Sequence, residues 1–168
     1  MPINSPLNIH NIVICANIIV RKDGKFLVIR RSLKKKIDPG ITHFGGGKVD
    51  LNESPYAAAV RELREEAGIS AKNIRCEAVV TEVHPRSTYG TWLVFYFSGD
   101  YEGGKVITTD EGELFWLTAE EIKKQKLIPS VTETINYILD PGQGTLFAHF
   151  TYDENYQIIT KELNLCPI

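Results

Sequence analysis

The stretch from Gly47 to Ile69, GKVDLNESPYAAAVRELREEAGI, constrains the fold more than any other part of the chain. It joins a glycine-rich approach, a helix start, an acidic helical face and a helix stop in one short run. Gly47 is followed after five residues by Glu53, and after seven more by Arg61-Glu62-Leu63-Arg64-Glu65-Glu66-Ala67-Gly68-Ile69. Ser54 supplies a capping oxygen, Pro55 suits the first helical position, and Gly68 tolerates the positive φ that ends many helices. The pattern predicts a helix over about 55–67.

At about 100° per residue, Glu62, Glu65 and Glu66 are expected on one stripe. Tyr56, Ala59, Val60, Leu63 and Ala67 form the neighbouring apolar stripe, ready to pack on a sheet. Ala58, one turn earlier, is expected to keep the space above the acids open. Like charges at these spacings cost roughly a few tenths of a kcal/mol per pair. Arg61 and Arg64 point away from the acids on this wheel, so a hard divalent cation with oxygen ligands is expected, Mg²⁺ first and Mn²⁺ as an alternative.

An isolated Glu65-Glu66 pair reads as an ordinary solvated helix face, but the full spacing argues otherwise. This run resembles the defining box of the Nudix hydrolases at every position. The resemblance covers roughly residues 8–140 and implies metal-dependent attack of water on a diphosphate linked to another moiety. It implies that the Gly46 carbonyl, Glu65 and Glu66 hold the metal, with Glu62 as ligand or base. Glu53 then orients Arg61 or a water on the metal, and Arg61 holds a glutamate in its rotamer. Gly45 stands where many relatives carry proline, which loosens the loop without removing a ligand.

Length and composition fit that reading. A chain of 168 residues, 43% apolar and 24% charged, is long enough to bury a core and is expected to be one domain over 1–168. A net charge of −2 gives no general attraction to nucleic-acid polymers, whereas a free nucleotide needs only a local positive patch. Cys15, Cys76 and Cys166 form neither a metal-type pair nor an even disulfide set, so a reduced, cytoplasmic setting is expected. No apolar run reaches the ~20 residues of a membrane span. The run from Ile12 to Val20 lacks a basic leader and reads as a strand. Monomer and homodimer both remain open.

Residues 11–21 and 25–30 read as strands joined by an Asp23-Gly24 turn. Arg30, Arg31, Lys34, Lys35 and Lys36 then form a basic cluster, either a solvated surface or a polyphosphate contact. His43 to Gly47 is a short strand entering the box, and its three glycines suggest a close backbone approach. Residues 74–83 and 92–99 read as strands around a loop, His84 to Gly90, that is a candidate border of the substrate. Helices are expected over 119–126, capped by Thr118, and over 129–139. A composition break at Pro141-Gly142-Gln143-Gly144 precedes a terminal hairpin, about 145–163. Together these give an α/β class: an α/β/α sandwich with a mixed central sheet plus a C-terminal β-hairpin.

Two further expectations come from the MutT-like branch of the same family. Glu111, five residues before Trp116, matches that branch's additional catalytic or metal-binding glutamate, with Glu113 as the second choice. The tail resembles the oxidised-purine triphosphatases, but their aspartate pair after the equivalent of Pro129 is here Ser130-Val131. His43, Phe44, Gly47, Lys48, Arg30 and Ser130 are the expected substrate contacts. Short, weakly polar groups at the base imply that nucleoside triphosphates differ by only about 2–3 kcal/mol in transition-state terms. The reading is thus a Mg²⁺-dependent hydrolase giving nucleoside monophosphate and pyrophosphate. The alternatives are hydrolysis of ADP-ribose, dinucleoside polyphosphates or nucleotide sugars, and a silent nucleotide-sensing module.

Overall fold

The computed structural model describes residues 12–35, 38–85, 90–107, 109–140 and 142–167. Lys36 of the basic cluster, residues 86–89 of the His84 loop and Pro141 lie outside the described residues. Among the described residues nine strands make one mixed sheet: β1 (Ile12–Lys22), β2 (Lys25–Arg31), β3 (Thr42–His43), β4 (Gly45–Lys48), β5 (Ile69–Val83), β6 (Thr91–Gly104), β7 (Gly112–Leu117), β8 (Thr145–Tyr152) and β9 (Ile158–Cys166). The order is β3-β2-β1-β6-β5-β8-β9, with β4 on β1 and β7 on β2. The β1–β6 and β5–β8 pairs are parallel, and the others are antiparallel.

Alternation along β1 divides the core into two layers. Ala16, Ile18 and Val20 face α1 (Pro55–Glu62), where they pack with Ala58, Ala59, Leu63, Ala67 and Phe97. Ile19, with Cys15 beside it, faces the opposite way with Val80, Val94 and Tyr96, under α2 (Ala119–Lys123) and α3 (Pro129–Ile138). This is the expected sandwich. Among the described residues no helix is long and apolar enough to cross a membrane.

Local signals mark the element boundaries well. Asp23 and Gly24 both take positive φ, 50° and 74°, as a tight hairpin turn requires. Ser54 accepts the Ala57 N–H at 3.2 Å, Pro55 opens α1, and Gly68 closes the segment at φ 70°. Thr118 and Glu121 form a reciprocal capping box on α2.

Three details differ from expectation. The helix predicted over 55–67 is α-helical only to Glu62, and Leu63–Ala67 forms a π turn. Strand β7 reads in the sequence only as an acidic segment, because its burial depends on pairing with β2. The terminal hairpin does not stand apart from the sheet, since β8 runs parallel to β5 and extends it.

Candidate active site

The π turn decides where each carboxylate goes. Its hydrogen bonds span five residues instead of four, so the 100° step fails and the single acidic stripe is split. Glu66 turns into the buried layer beside Leu63 and Ala67, with 9% of its surface left exposed. The Glu65 side chain stays 61% exposed. Glu62 lies between them, with its carboxylate against the glycine strand: a Cβ at Gly47 would sit 2.4 Å from Glu62 Oε1. Ala58 is fully buried in the core, so it opens no space above the acids.

Arg61, expected to point away, stands at the centre of the acidic group. Its guanidinium donates to Glu53 Oε1 at 2.6 Å, Glu62 Oε1 at 2.8 Å, Glu65 Oε2 at 3.2 Å and the Lys48 carbonyl at 3.2 Å. A planar fork with several donors can hold these groups together, which a point-charge lysine cannot. The bonds to Arg61 draw the Glu53 carboxyl below its ordinary range. Glu53 also accepts the Asp50 N–H at 3.0 Å, tying the loop before the helix to the same network.

The glycines work by different means. Gly46 has φ 150°, and a Cβ there would meet the Ala16 carbonyl at 2.3 Å and Asn17 Cα at 2.6 Å. Only glycine lets β4 lie this close to β1. Gly45 has ordinary room, its nearest neighbour being Glu66 Oε2 at 3.6 Å. The Gly46 N–H donates to Glu66 Oε2 at 2.9 Å. Burial, opposed by this bond but reinforced by the charges of Glu62 and Glu111, pushes the Glu66 carboxyl up to about 7.

This donor chemistry fits a hard divalent cation. Glu66 is a buried carboxylate with a neutral donor and two like charges in range, against which the charge of Arg31 is the smallest influence. Among the described residues no three His, Cys, Asp or Glu side chains are yet drawn together closely enough to enclose an ion. Arg61 occupies the oxygens of Glu62 and Glu65 instead. Glu66 and Glu62 nevertheless lie along β4, at Gly46 and Gly47, and Arg61 links Glu65 to Glu62.

Glu111, just before β7, lies on the same side, within electrostatic reach of Glu66. Lys35 binds it at 2.6 Å, and Arg31 stands 4.0 Å away. Part of the basic cluster therefore brackets the acids. Glu113 is exposed and pairs across the strands with Arg30. Arg30 itself faces away from this group, stacked 4.7 Å from the Phe115 ring centre.

Two expected substrate contacts are placed differently. Phe44 is 2% exposed and belongs to the core, so its side chain reaches no ligand. Ser130 is 1% exposed and donates its hydroxyl to a buried carboxylate, Glu82 of β5. Ser130 therefore stands against a carboxyl group, Glu82, that the reading of Ser130-Val131 did not include. His43 keeps a polar edge: Nδ1 lies 2.7 Å from the Phe44 carbonyl and so carries the proton. That leaves Nε2 a buried acceptor without a partner, and burial holds the ring's proton affinity below the usual histidine value. Lys48 is exposed, with its ammonium 5.9 Å from the Trp92 ring centre.

Known proteins resemble this chain in sequence and in fold. The NUDIX domain family model matches residues 10–137. An uncharacterized Nudix hydrolase of Bacillus subtilis, YvcI, is 27% identical over 88% of this chain and 92% of its own length. A CTP pyrophosphohydrolase of Escherichia coli is 34% identical over 67% of this chain and 80% of its own length. A MutT protein of Bacillus halodurans shares the fold, with a TM-score of 0.78 at 22% identity over 90% of this chain and 97% of that one.

Proposed function

Because the chain belongs to the Nudix family and is a hydrolase of phosphorus anhydrides, we propose that it is a Mg²⁺-dependent nucleoside triphosphate pyrophosphohydrolase. Its products are a nucleoside monophosphate and pyrophosphate, and residues 1–168 act as one domain. The observation that carries the reading is the buried Glu66 carboxylate on the Gly46 N–H, with Glu62 beside Gly47 and joined to Glu65 by Arg61. The MutT-like assignment draws on relatives such as the CTP pyrophosphohydrolase of E. coli. The small negative net charge favours a free nucleotide over a polymer.

The Gly46 carbonyl, Glu62, Glu65 and Glu66 would hold a divalent cation, which when bound would polarise the diphosphate and lower the proton affinity of water. Glu62 has the shortest bond of the helix acids to Arg61, which fixes its rotamer and leaves Oε2 free to accept a proton from water. Glu53 holds Arg61 in turn. Lys35 and Arg31 are placed to exchange Glu111 for phosphate oxygens as the substrate enters.

Incubation with Mg²⁺ and a panel of nucleoside triphosphates, ADP-ribose, dinucleoside polyphosphates and nucleotide sugars, with products identified by mass, tests the proposal. Triphosphates should give monophosphate and pyrophosphate, and EDTA should stop the reaction. A main product from ADP-ribose would move the chain to another branch. Turnover of nothing in the panel would leave a binding module.

Glu111 and Glu113 are separable in the same assay. Glu111→Gln should lower kcat by about a hundredfold, as loss of one preorganised charge does. Glu113→Gln, exposed and on the far side, should leave it within roughly threefold. The reverse ranking would exclude Glu111 from the chemistry.

A further inference from the structure

We propose that Glu82 selects the nucleobase, its carboxylate accepting the paired N–H donors on the Watson–Crick edge of a guanine. This deepens the triphosphate reading above and rests on it for the position of the phosphates.

Register places Glu82 within reach of a nucleotide anchored at the box. Lys48 pairs with Cys15, Cys15 with Val94, and two residues along β6, on the same face, Trp92 stands directly opposite Glu82. From β4 across β1 and β6 to β5 is three strand spacings, and with the two-residue step along the strands the backbone separation is ~16 Å, which a nucleotide and the inward reach of the Lys48 and Glu82 side chains span together. The charges of Lys48, Glu82 and Glu62 all reach the Cys15 thiol, so the two ends belong to one region. Asn17 connects them a second time: it lies against Gly46, and its side chain bonds the Tyr96 hydroxyl, which also lies in the field of Glu82.

The carboxylate is held in place yet unsaturated. Ser130 donates to Oε1, and His84 Nε2 stands 3.2 Å from Oε2. Each oxygen keeps another lone-pair direction. The His84 and Glu82 side chains retain 12% and 10% exposure, so an edge stays open. His84 Nδ1 beside them is buried without a partner, and the Tyr152 hydroxyl, which lies within range of the Ser130 donors, has no acceptor for its own proton. Tyr152 is 3% exposed, and its ring stacks on His84 with centres 4.2 Å apart. Buried polar groups without partners are rare in folded proteins and point to a ligand that completes them.

The missing complement is specific. An ionised carboxylate only accepts, so it suits a base edge with two adjacent N–H donors, which guanine presents at N1 and its 2-amino group. Adenine and cytosine place a ring acceptor beside their amino donor, and that lone pair would face the carboxylate. The Tyr152 hydroxyl is the donor that the guanine O6 requires. Half-exposed Trp92, beside Lys48, offers a stacking surface. An oxo group at C8 lies on the other side of the purine and is not read by Glu82. A purely structural Glu82 would instead neutralise the N-terminus of α3, whose cap residue Ile128 has no side chain to do so.

Inosine differs from guanosine only by lacking the 2-amino group, which makes it the probe. The experiment measures kcat/KM for dGTP and dITP, and Kd for dGMP and dIMP, on the native protein, Glu82→Gln and Ser130→Ala, with a thermal melt of each. The native protein should favour the guanine member by about ten- to a hundredfold, the range of one hydrogen bond to a charged acceptor. In Glu82→Gln the ratio should fall below about threefold, and Ser130→Ala should narrow it in the same direction. An unaltered ratio in the variants, or none in the native protein, overturns the proposal; a lowered melting temperature with the ratio intact assigns Glu82 to α3 alone. If Glu82→Gln does not fold, the Ser130→Ala ratio decides. If dGMP and dIMP behave as expected while the triphosphates are not hydrolysed, the activity reading fails and the base assignment stands. Hydrolysis of both triphosphates without discrimination keeps the activity and removes the base assignment.

Discussion

Replacing Glu66 with Gln lowers kcat by about a thousandfold at saturating Mg²⁺, while the protein remains folded. Metal-assisted charge stabilisation supplies several kcal/mol to such reactions, and each 1.36 kcal/mol is tenfold in rate. The fold survives because the Gln oxygen can still accept the Gly46 N–H that Glu66 now accepts at 2.9 Å. Without metal the substitution is stabilising, and the sign follows from the raised proton affinity. The folded carboxyl titrates near 7 and the unfolded one near 4.5. The folded state therefore binds the proton more tightly, and stability is full below pH 4.5. It is lost as pH rises towards 7, by about 3 kcal/mol in all. Melts of the native protein in EDTA should fall between pH 5 and 8, and those of Glu66→Gln should fall less. Native rates in Glu66→Gln, or full activity of the native protein in EDTA, would remove Glu66 from the metal site.

Alanine at Gly46 and alanine at Gly47 fail in different ways. At Gly46 the new Cβ meets backbone, the Ala16 carbonyl at 2.3 Å and Asn17 Cα at 2.6 Å, at a φ of 150°. Backbone strain and overpacking each cost about 1–3 kcal/mol, so a total of about 3–5 kcal/mol is expected. That is a large share of the stability of an ordinary domain, about 5–15 kcal/mol. At Gly47 the new Cβ meets only the carboxylate of Glu62, at 2.4 Å from Oε1 and 2.6 Å from Cδ. A flexible side chain can swing aside, so Gly47→Ala should keep its melting temperature within a few degrees and lose activity by about ten- to a hundredfold, as when a ligand's support is disturbed. Denaturant titration and kcat of both variants distinguish the two failures. Equal stability of the two would show that β4 can move away from β1.

The contrast between these residues also shows what sequence could reveal. Ser54, Pro55 and Gly68 act on their immediate neighbours, so the boundaries of the box segment could be read directly. The division of labour among Glu62, Glu65 and Glu66 could not, because a uniform helical step contains no π turn. Arg61 reaches Glu65 at ordinary i,i+4 spacing, which the expectation of an outward-pointing arginine overlooked, while its partners Glu53 and Lys48 come from the preceding loop and strand. Glu82 carries no local signal at all. It sits in an apolar strand, and its partner Ser130 is 48 residues distant. Sequence did offer the Asp23-Gly24 hairpin and the two later helices, whose turn and cap chemistry is local.

The parallel pairing of β1 with β6 has a kinetic meaning. Ile12 lies beside Thr91 and Arg21 beside Asp100, so the whole box falls inside the loop that this pairing must close. Long closures come late in folding, because their entropy cost precedes any compensating contact. Among the described residues β4 pairs with no strand but β1, through the four partners from Cys15↔Lys48 to Ile18↔Gly45. A chain that has lost β1 therefore keeps the glycine strand only by its bonds to Glu66 and Arg61. Catalysis and native structure should be lost at the same denaturant concentration, which makes enzyme activity a direct assay of the native population.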